Sequence, residues 1–128
     1  MRSHRLIAHP SDVGFEASGA TFDELLDASV AALAEIESGG PPPAGTETRP
    51  VSAEGTPEAR LVGTLEACLV WLDVEDWLAV GFADGALRGL PLTAEARAEG
   101  THVKAVTWHQ LRVEQRADGW HATVFVDL

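Results

Sequence analysis

Near the start of the chain Val13, Phe15 and Ala17 alternate with Gly14, Glu16 and Ser18. That period of two predicts a half-buried strand over 13–17, with Arg5 to Ala8 as a strand before it and a break at His9-Pro10-Ser11-Asp12. The break leaves Asp12 at a strand edge. The period then changes. Thr21-x-x-Glu24 is a capping box, in which the threonine hydroxyl and the glutamate carboxylate satisfy backbone N–H groups at a helix start. Phe22, Leu25, Leu26, Ser29, Leu33 and Ile36 follow helical spacing on one face, and Gly39-Gly40 with Pro41 to Pro43 behind it ends the helix.

Pro41 to Thr46 reads as a loop, and Arg49 to Ala53 as a strand that Pro50 confines to a sheet edge. Thr56-Pro57 supplies an N-cap and a proline at the first helical position. The helix it opens carries Leu61, Leu65, Cys68, Leu69 and Leu72, and is expected to end near Asp73 or Val74. Trp77 to Phe82 reads as a buried strand, followed by a turn at Asp84-Gly85 and a strand from Ala86 to Leu90. Thr93 to Gly100 is polar and aperiodic, and no element is predicted there. From His102 to His109 alternation returns, with Val103, Ala105 and Thr107 on one face and Lys104, Val106 and Trp108 on the other. Leu111 and Val113 extend this strand toward Arg116, Asp118-Gly119 is a hairpin signal, and Trp120 to Asp127 is the last strand. Strands gathered behind two helices predict an α+β fold: one domain over 1–128, two helices packed on a largely antiparallel sheet.

A length of 128 residues suits one core, and 45% hydrophobic residues with four Trp exclude a disordered chain. The longest apolar run, Ala67 to Leu72, is far too short to span a bilayer. Only Leu6, Ile7 and Ala8 form an apolar stretch near the N-terminus, which is no signal-peptide core. One cysteine, Cys68, allows no internal disulfide. A soluble, cytoplasmic protein is expected, without a membrane partner. The formal charge is −11, from 20 acidic against 9 basic residues, and Lys104 is the only lysine. Phosphate backbones are bound by clustered Lys and Arg, so direct nucleic-acid binding is not expected. The acidic balance suits a basic protein partner or a bound cation.

Asp12 and Asp127 are the pair of greatest chemical interest. Asp127 is the penultimate residue, so the terminal carboxylate of Leu128 adjoins it. Three such groups, brought together, would repel unless a hard cation such as Ca²⁺ or Mg²⁺ lay between them. The residues alone leave a second reading open, in which Asp12 caps a turn and Asp127 is a solvated terminus. His9 and His109 are candidate ligands or acid/base groups, each also readable as a structural histidine, while His102 and His121 read as solvent-facing strand positions. No zinc-type spacing occurs. Cys68 reads as a core thiol, the four Trp as core packing, and Lys104 as either a partner contact or an exposed strand residue. No Gly-rich phosphate loop is present.

Taken in order, several segments resemble the archease family. His9-Pro10-Ser11-Asp12-Val13-Gly14 is similar to its His-Thr-Ala-Asp-x-Gly element, and Gly19-Ala20-Thr21-Phe22-Asp23-Glu24-Leu25 to its Gly-x-Thr-x-x-Glu-Leu run. Gly100 to His109 resembles Gly-Thr-x-Val-Lys-Ala-x-Thr-Tyr-His, with Trp108 in place of the tyrosine. The ending Val126-Asp127-Leu128 resembles the apolar strand closing in Asp plus an aliphatic residue. The resemblance covers essentially the whole chain. It implies a non-catalytic activator of a GTP-dependent RNA ligase in tRNA splicing and RNA repair, one that promotes ligase guanylylation and multiple turnover. It also implies a divalent metal, most often Ca²⁺, held by Asp12, Asp127 and a main-chain or terminal oxygen of Leu128. The alternative is a chaperone for an RNA-modifying enzyme such as a tRNA methyltransferase. A small metal-dependent hydrolase using Asp12, Asp127 and His109 ranks last, because no nucleophile or base pair has recognisable spacing.

Overall fold

The computed structural model describes residues 2–8 and 13–128. The chain runs β1 (Ser3–Ala8), β2 (Val13–Gly19), α1 (Phe22–Ser38), β3 (Glu47–Pro50), α2 (Pro57–Glu75), β4 (Trp77–Ala83), β5 (Ala86–Pro91), α3 (Ala94–Glu99), β6 (Ala105–Arg116) and β7 (Gly119–Asp127). The α+β class, the antiparallel pairing and both long helices are as expected. The strands form two sheets, ordered β1-β2-β7-β6 and β3-β5-β4, with every pairing antiparallel.

Both long helices start where their caps require. Thr21 Oγ1 accepts the Glu24 N–H at 3.1 Å while Glu24 Oε1 accepts the Ala20 N–H at 3.0 Å, closing the capping box. Thr56 caps α2 through the Ala59 N–H, with Pro57 behind it. Gly39 ends α1 in the left-handed conformation at φ 74°. The sequence places one apolar face on α1, yet Ala28, Val30, Ala31, Ala32 and Ala34 are buried as well. The cause is position: α1 packs on β1, β2 and β7 of one sheet, on β4 of the other, and on α2. Small alanines let these neighbours come close. Phe15, Leu25, Leu33, Leu61, Leu65, Trp77 and Val124 form the centre of the resulting core.

Three expectations need correction. The β3 strand is Glu47–Pro50 rather than Arg49 to Ala53, and it is an edge strand as Pro50 requires. Its register is set by side chains. The Arg49 guanidinium stacks on Trp71 and Trp77, at 5.4 and 5.0 Å from the ring centroids, and Trp77 Nε1 donates to Glu47 Oε1 at 3.1 Å. The polar stretch Thr93 to Gly100 contains α3, six residues capped by Thr93 and with none buried. It lacks both an apolar period and a Glu or Gln at the third helical position, the two signals that mark a helix in sequence. Finally, Val103 precedes β6, so Val103 and Val106 are buried together and the predicted alternation of faces does not hold. Further on, the β6–β7 register shifts between Thr107 and Arg112, and Gln110 has φ 59°. This bulge turns Trp108 outward to 56% exposure, so core packing accounts for Trp77 and for the half-buried Trp71 and Trp120, but not for Trp108.

Candidate functional site

The central strands of the larger sheet carry the candidate site to one edge. β2 pairs with β7 so that Val13 lies opposite Val126 and Gly14 opposite Phe125. Val13 follows Asp12 in sequence, and Val126 precedes Asp127. Gly14 is required here: a Cβ on it would lie 2.2 Å from the Val124 carbonyl oxygen and 2.8 Å from the Phe125 ring. Any side chain at 14 would push β2 away from β7 and disturb this register.

Asp127 ends β7. Its backbone carbonyl accepts the Lys104 N–H at 2.8 Å, and its Cα partner across the ladder is Ala105. The Asp127 side chain and Leu128 are exposed, and among the described residues no hydrogen bond or ion pair engages the Asp127 carboxylate. Leu128 lines an open groove of about 400 Å³ with Leu6, Ile7, Val13, Glu35 and Thr101. Residues from β1, β2, α1, the α3–β6 connection and the chain end therefore meet at one edge of the molecule. Asp12 and His9 lie outside the described residues.

Of the other candidates, only Lys104 adjoins this edge. His109 sits in the β6 bulge, where its backbone N–H donates to Thr107 Oγ1 at 3.0 Å. Among the described residues, no three His, Cys, Asp or Glu side chains come together in a way that could hold a metal ion. A trio of Asp127, His109 and a third described acid is therefore not formed, and the proposed metal set needs Asp12. Lys104 is exposed beside the chain end and makes no ion pair among the described residues. His121 is half-buried rather than solvent-facing, with Nε2 2.8 Å from Asp118 Oδ1, and that bond holds the Asp118 carboxyl below its ordinary value. His102 is exposed in the connection before β6, not in a strand. Cys68 is a core thiol: it is buried, donates to the Thr64 carbonyl at 3.3 Å, and burial pushes its ionisation far up, so it is no nucleophile.

Sequence reasoning missed Glu37, a carboxyl that is 5% exposed at the C-terminal turn of α1. Its position was readable, because Glu37 continues the Ser29 and Leu33 row at intervals of four on the apolar face. No helix among the described residues is long and apolar enough to cross a membrane.

The archease protein family model (MTH1598/TM1083) matches residues 4–128. The chain is 26% identical over 141 aligned residues to protein archease of Methanosarcina barkeri, covering 99% of this chain and 97% of that protein. It is 30% identical to protein archease of Thermococcus kodakarensis, covering 100% of each. Among solved structures, the fold is similar to that of protein 1598 from Methanobacterium thermoautotrophicum, with a TM-score of 0.73 at 22% identity and 98% of each chain covered. It is also similar to that of an archease, a possible chaperone, from Thermotoga maritima, with a TM-score of 0.65 at 24% identity over 97% of this chain and 96% of that one.

Proposed function

This chain belongs to the archease family, and we propose that within it the protein activates a GTP-dependent RNA ligase in the cytoplasm without catalysing a reaction of its own. The observation that carries the reading is the β2–β7 register. Val13, which follows Asp12 in sequence, lies opposite Val126, which precedes Asp127, and this pairing supports a site that draws on both chain segments. Asp127 is exposed and makes no ion pair among the described residues, which leaves its carboxylate open to a metal or partner.

In this proposal Asp12, Asp127 and an oxygen of Leu128 hold a divalent metal. The donor set is all oxygen and carries up to three negative charges, which suits Ca²⁺ better than a thiolate- or imidazole-seeking ion. When bound, the metal offsets the repulsion among the carboxylates and orders the chain end for contact with the ligase. The chain's own residues supply the frame: Gly14 permits the close β2–β7 approach, and the Lys104 N–H pins the Asp127 carbonyl.

The test is GTP-dependent guanylylation of the RNA ligase from the same source, at limiting ligase, with and without this protein. Stimulation by substoichiometric amounts supports the activator role, and its loss in both Asp12→Ala and Asp127→Ala supports the site. Retained stimulation in either variant overturns the site assignment. An active ligase that does not respond overturns the ligase reading, and co-purification then asks whether an RNA-modifying enzyme such as a tRNA methyltransferase is the partner. The chaperone description of the Thermotoga maritima relative gives that second reading its place.

A further inference from the structure

We infer that the partly open cavity between the C-terminal turn of α1, the end of α2 and α3 is a binding site for a primary alkylammonium group, with the Glu37 carboxylate as its counter-ion. The cavity measures about 200 Å³ and is walled by Leu72, Leu78 and Leu92, with Pro41 and Pro43 at its side. Glu37 lies on its wall. One carboxyl oxygen of Glu37, Oε2, is buried and has no hydrogen-bond partner among the described residues. Buried polar atoms are almost always bonded, so an orphan oxygen beside an empty volume marks the place of a missing donor.

The surrounding charges favour a cation. Asp73 on α2 and Glu99 on α3 add negative charge, and Cys68 beneath is a neutral thiol. Arg97 on α3 reaches the same region, but it is turned to α2: Nε donates to Asp76 Oδ1 at 3.2 Å, and NH2 lies 3.8 Å from Asp73 Oδ1. It lowers the Glu37 ionisation only in part, and burial prevails, holding the carboxyl protonated up to a pKa of about 8. A metal ion is a poorer fit: among the described residues no three His, Cys, Asp or Glu side chains come together to hold one, and the Arg97 guanidinium on the same wall would repel it. An ammonium on a short alkyl chain satisfies both halves of the site. Its head donates to Glu37 and its stem lies against the leucines, and a cavity of about 150 Å³ already admits a benzene-sized body.

Binding is then an exchange. Glu37 gives its proton to solvent, the carboxylate takes up the R–NH₃⁺ group, and net charge is conserved. The chain leaving α3 packs on the same residue. The Glu37 carbonyl accepts the Thr101 N–H at 2.9 Å, and a Cβ at Gly100 would fall 2.4 Å from the same carbonyl oxygen. The exit of α3 is thus seated directly on the residue that ligates.

The experiment titrates the full chain with n-butylammonium chloride and follows the methyl resonances of Leu72, Leu78 and Leu92, with calorimetry in two buffers of different ionisation enthalpy. Expected are shifts centred on these methyls, release of about one proton per amine below pH 8, and affinity rising about tenfold per pH unit between pH 6 and pH 8. The amine stays charged throughout that window, its own ionisation lying near 10.4. 1-Butanol should bind at least about tenfold more weakly, and Glu37→Gln, nearly the same shape, should lose about tenfold or more for the amine while keeping the methyl spectrum. Absent shifts at millimolar amine, shifts without proton release, or equal binding of butanol would each overturn the inference, and the wild-type readings decide even if the variant folds poorly. A parallel titration with Nα-acetyl-lysine methylamide separates the two sources of the group. Equal binding points to a lysine side chain of a partner, and exclusion of the lysine probe points to a free small amine.

Discussion

At Glu37 and Asp127, two carboxyl groups of the same chain have opposite environments and therefore opposite consequences. Glu37 is buried, its ionisation is pushed from about 4.5 to about 8, and the folded protein keeps a proton there that the unfolded chain releases. Stability from this group is full below pH 4.5 and declines as pH rises through 8, because over that window the native state binds more protons than the unfolded state. Glu37→Gln abolishes the decline. Urea unfolding at pH 5 and pH 8 should show the wild type losing on the order of a few kcal/mol relative to the variant, at about 1.4 kcal/mol for each pKa unit. Equal pH dependence in the two proteins would contradict it. The Asp127 side chain is exposed and makes no hydrogen bond or ion pair among the described residues, so Asp127→Ala should change stability by no more than about 0.5 kcal/mol. Under the proposed function the same substitution is expected to remove ligase stimulation and calcium binding, the first read by guanylylation and the second by calorimetry with CaCl₂. A large fall in melting temperature would show instead that the side chain acts on the fold.

At the scale of elements, irregular strands decide where side chains go. The β4–β5 ladder shifts register between Ala79 and Gly81, and the Phe82 N–H just beyond that bulge is taken up by Asp27 Oδ1 of α1 at 2.8 Å. The other oxygen of Asp27 pairs with Arg2 at 2.9 Å. A charge-assisted bond to backbone is worth more than an exposed ion pair. Asp27→Ala should therefore cost about 1–3 kcal/mol, while Arg2→Ala should cost less than about 1 kcal/mol, both measured by urea unfolding. Similar costs for the two would place the contribution in the ion pair rather than in the bulge. The bulge in β6 has a different effect. It carries Trp108, His109 and Gln110 out of the sheet's regular face and leaves the tryptophan to solvent.

Across the whole molecule, the excess of acid over base sets how a partner approaches. A net charge of −11 on 128 residues creates a field that steers a basic surface, and this field is screened by salt. The rate of association with the proposed ligase partner should fall about tenfold or more as ionic strength rises from about 0.01 M, where the Debye length is about 30 Å, to about 0.15 M, where it is about 8 Å. Stopped-flow measurement of association checks this. A salt-independent rate would mean that the contact surface is locally neutral despite the overall charge.

Local signals fixed much of the architecture before any contact was known. Thr21 and Thr56 place both long helices, because a cap needs only neighbouring backbone, and Asp84-Gly85 and Asp118-Gly119 place two hairpins, because a tight turn is a property of two residues. Alternation at Val13, Phe15 and Ala17 gave β2 for the same reason: only the buried face of a strand repeats every second residue. Family membership, too, was legible in motifs that run along the chain. What the linear pattern left open depended on partners distant in sequence. The burial of α1 on nearly every side follows from two sheets closing around it. The β3 register follows from Arg49 finding Trp71 and Trp77, and α3 exists as a short cover held by Arg97 to Asp73 and Asp76, with no apolar face of its own. The state of Glu37 belongs to the same class. Its place on the apolar row was written in the sequence, but only the packed cavity removes water from its carboxyl, and desolvation rather than residue identity decides whether that group carries a charge.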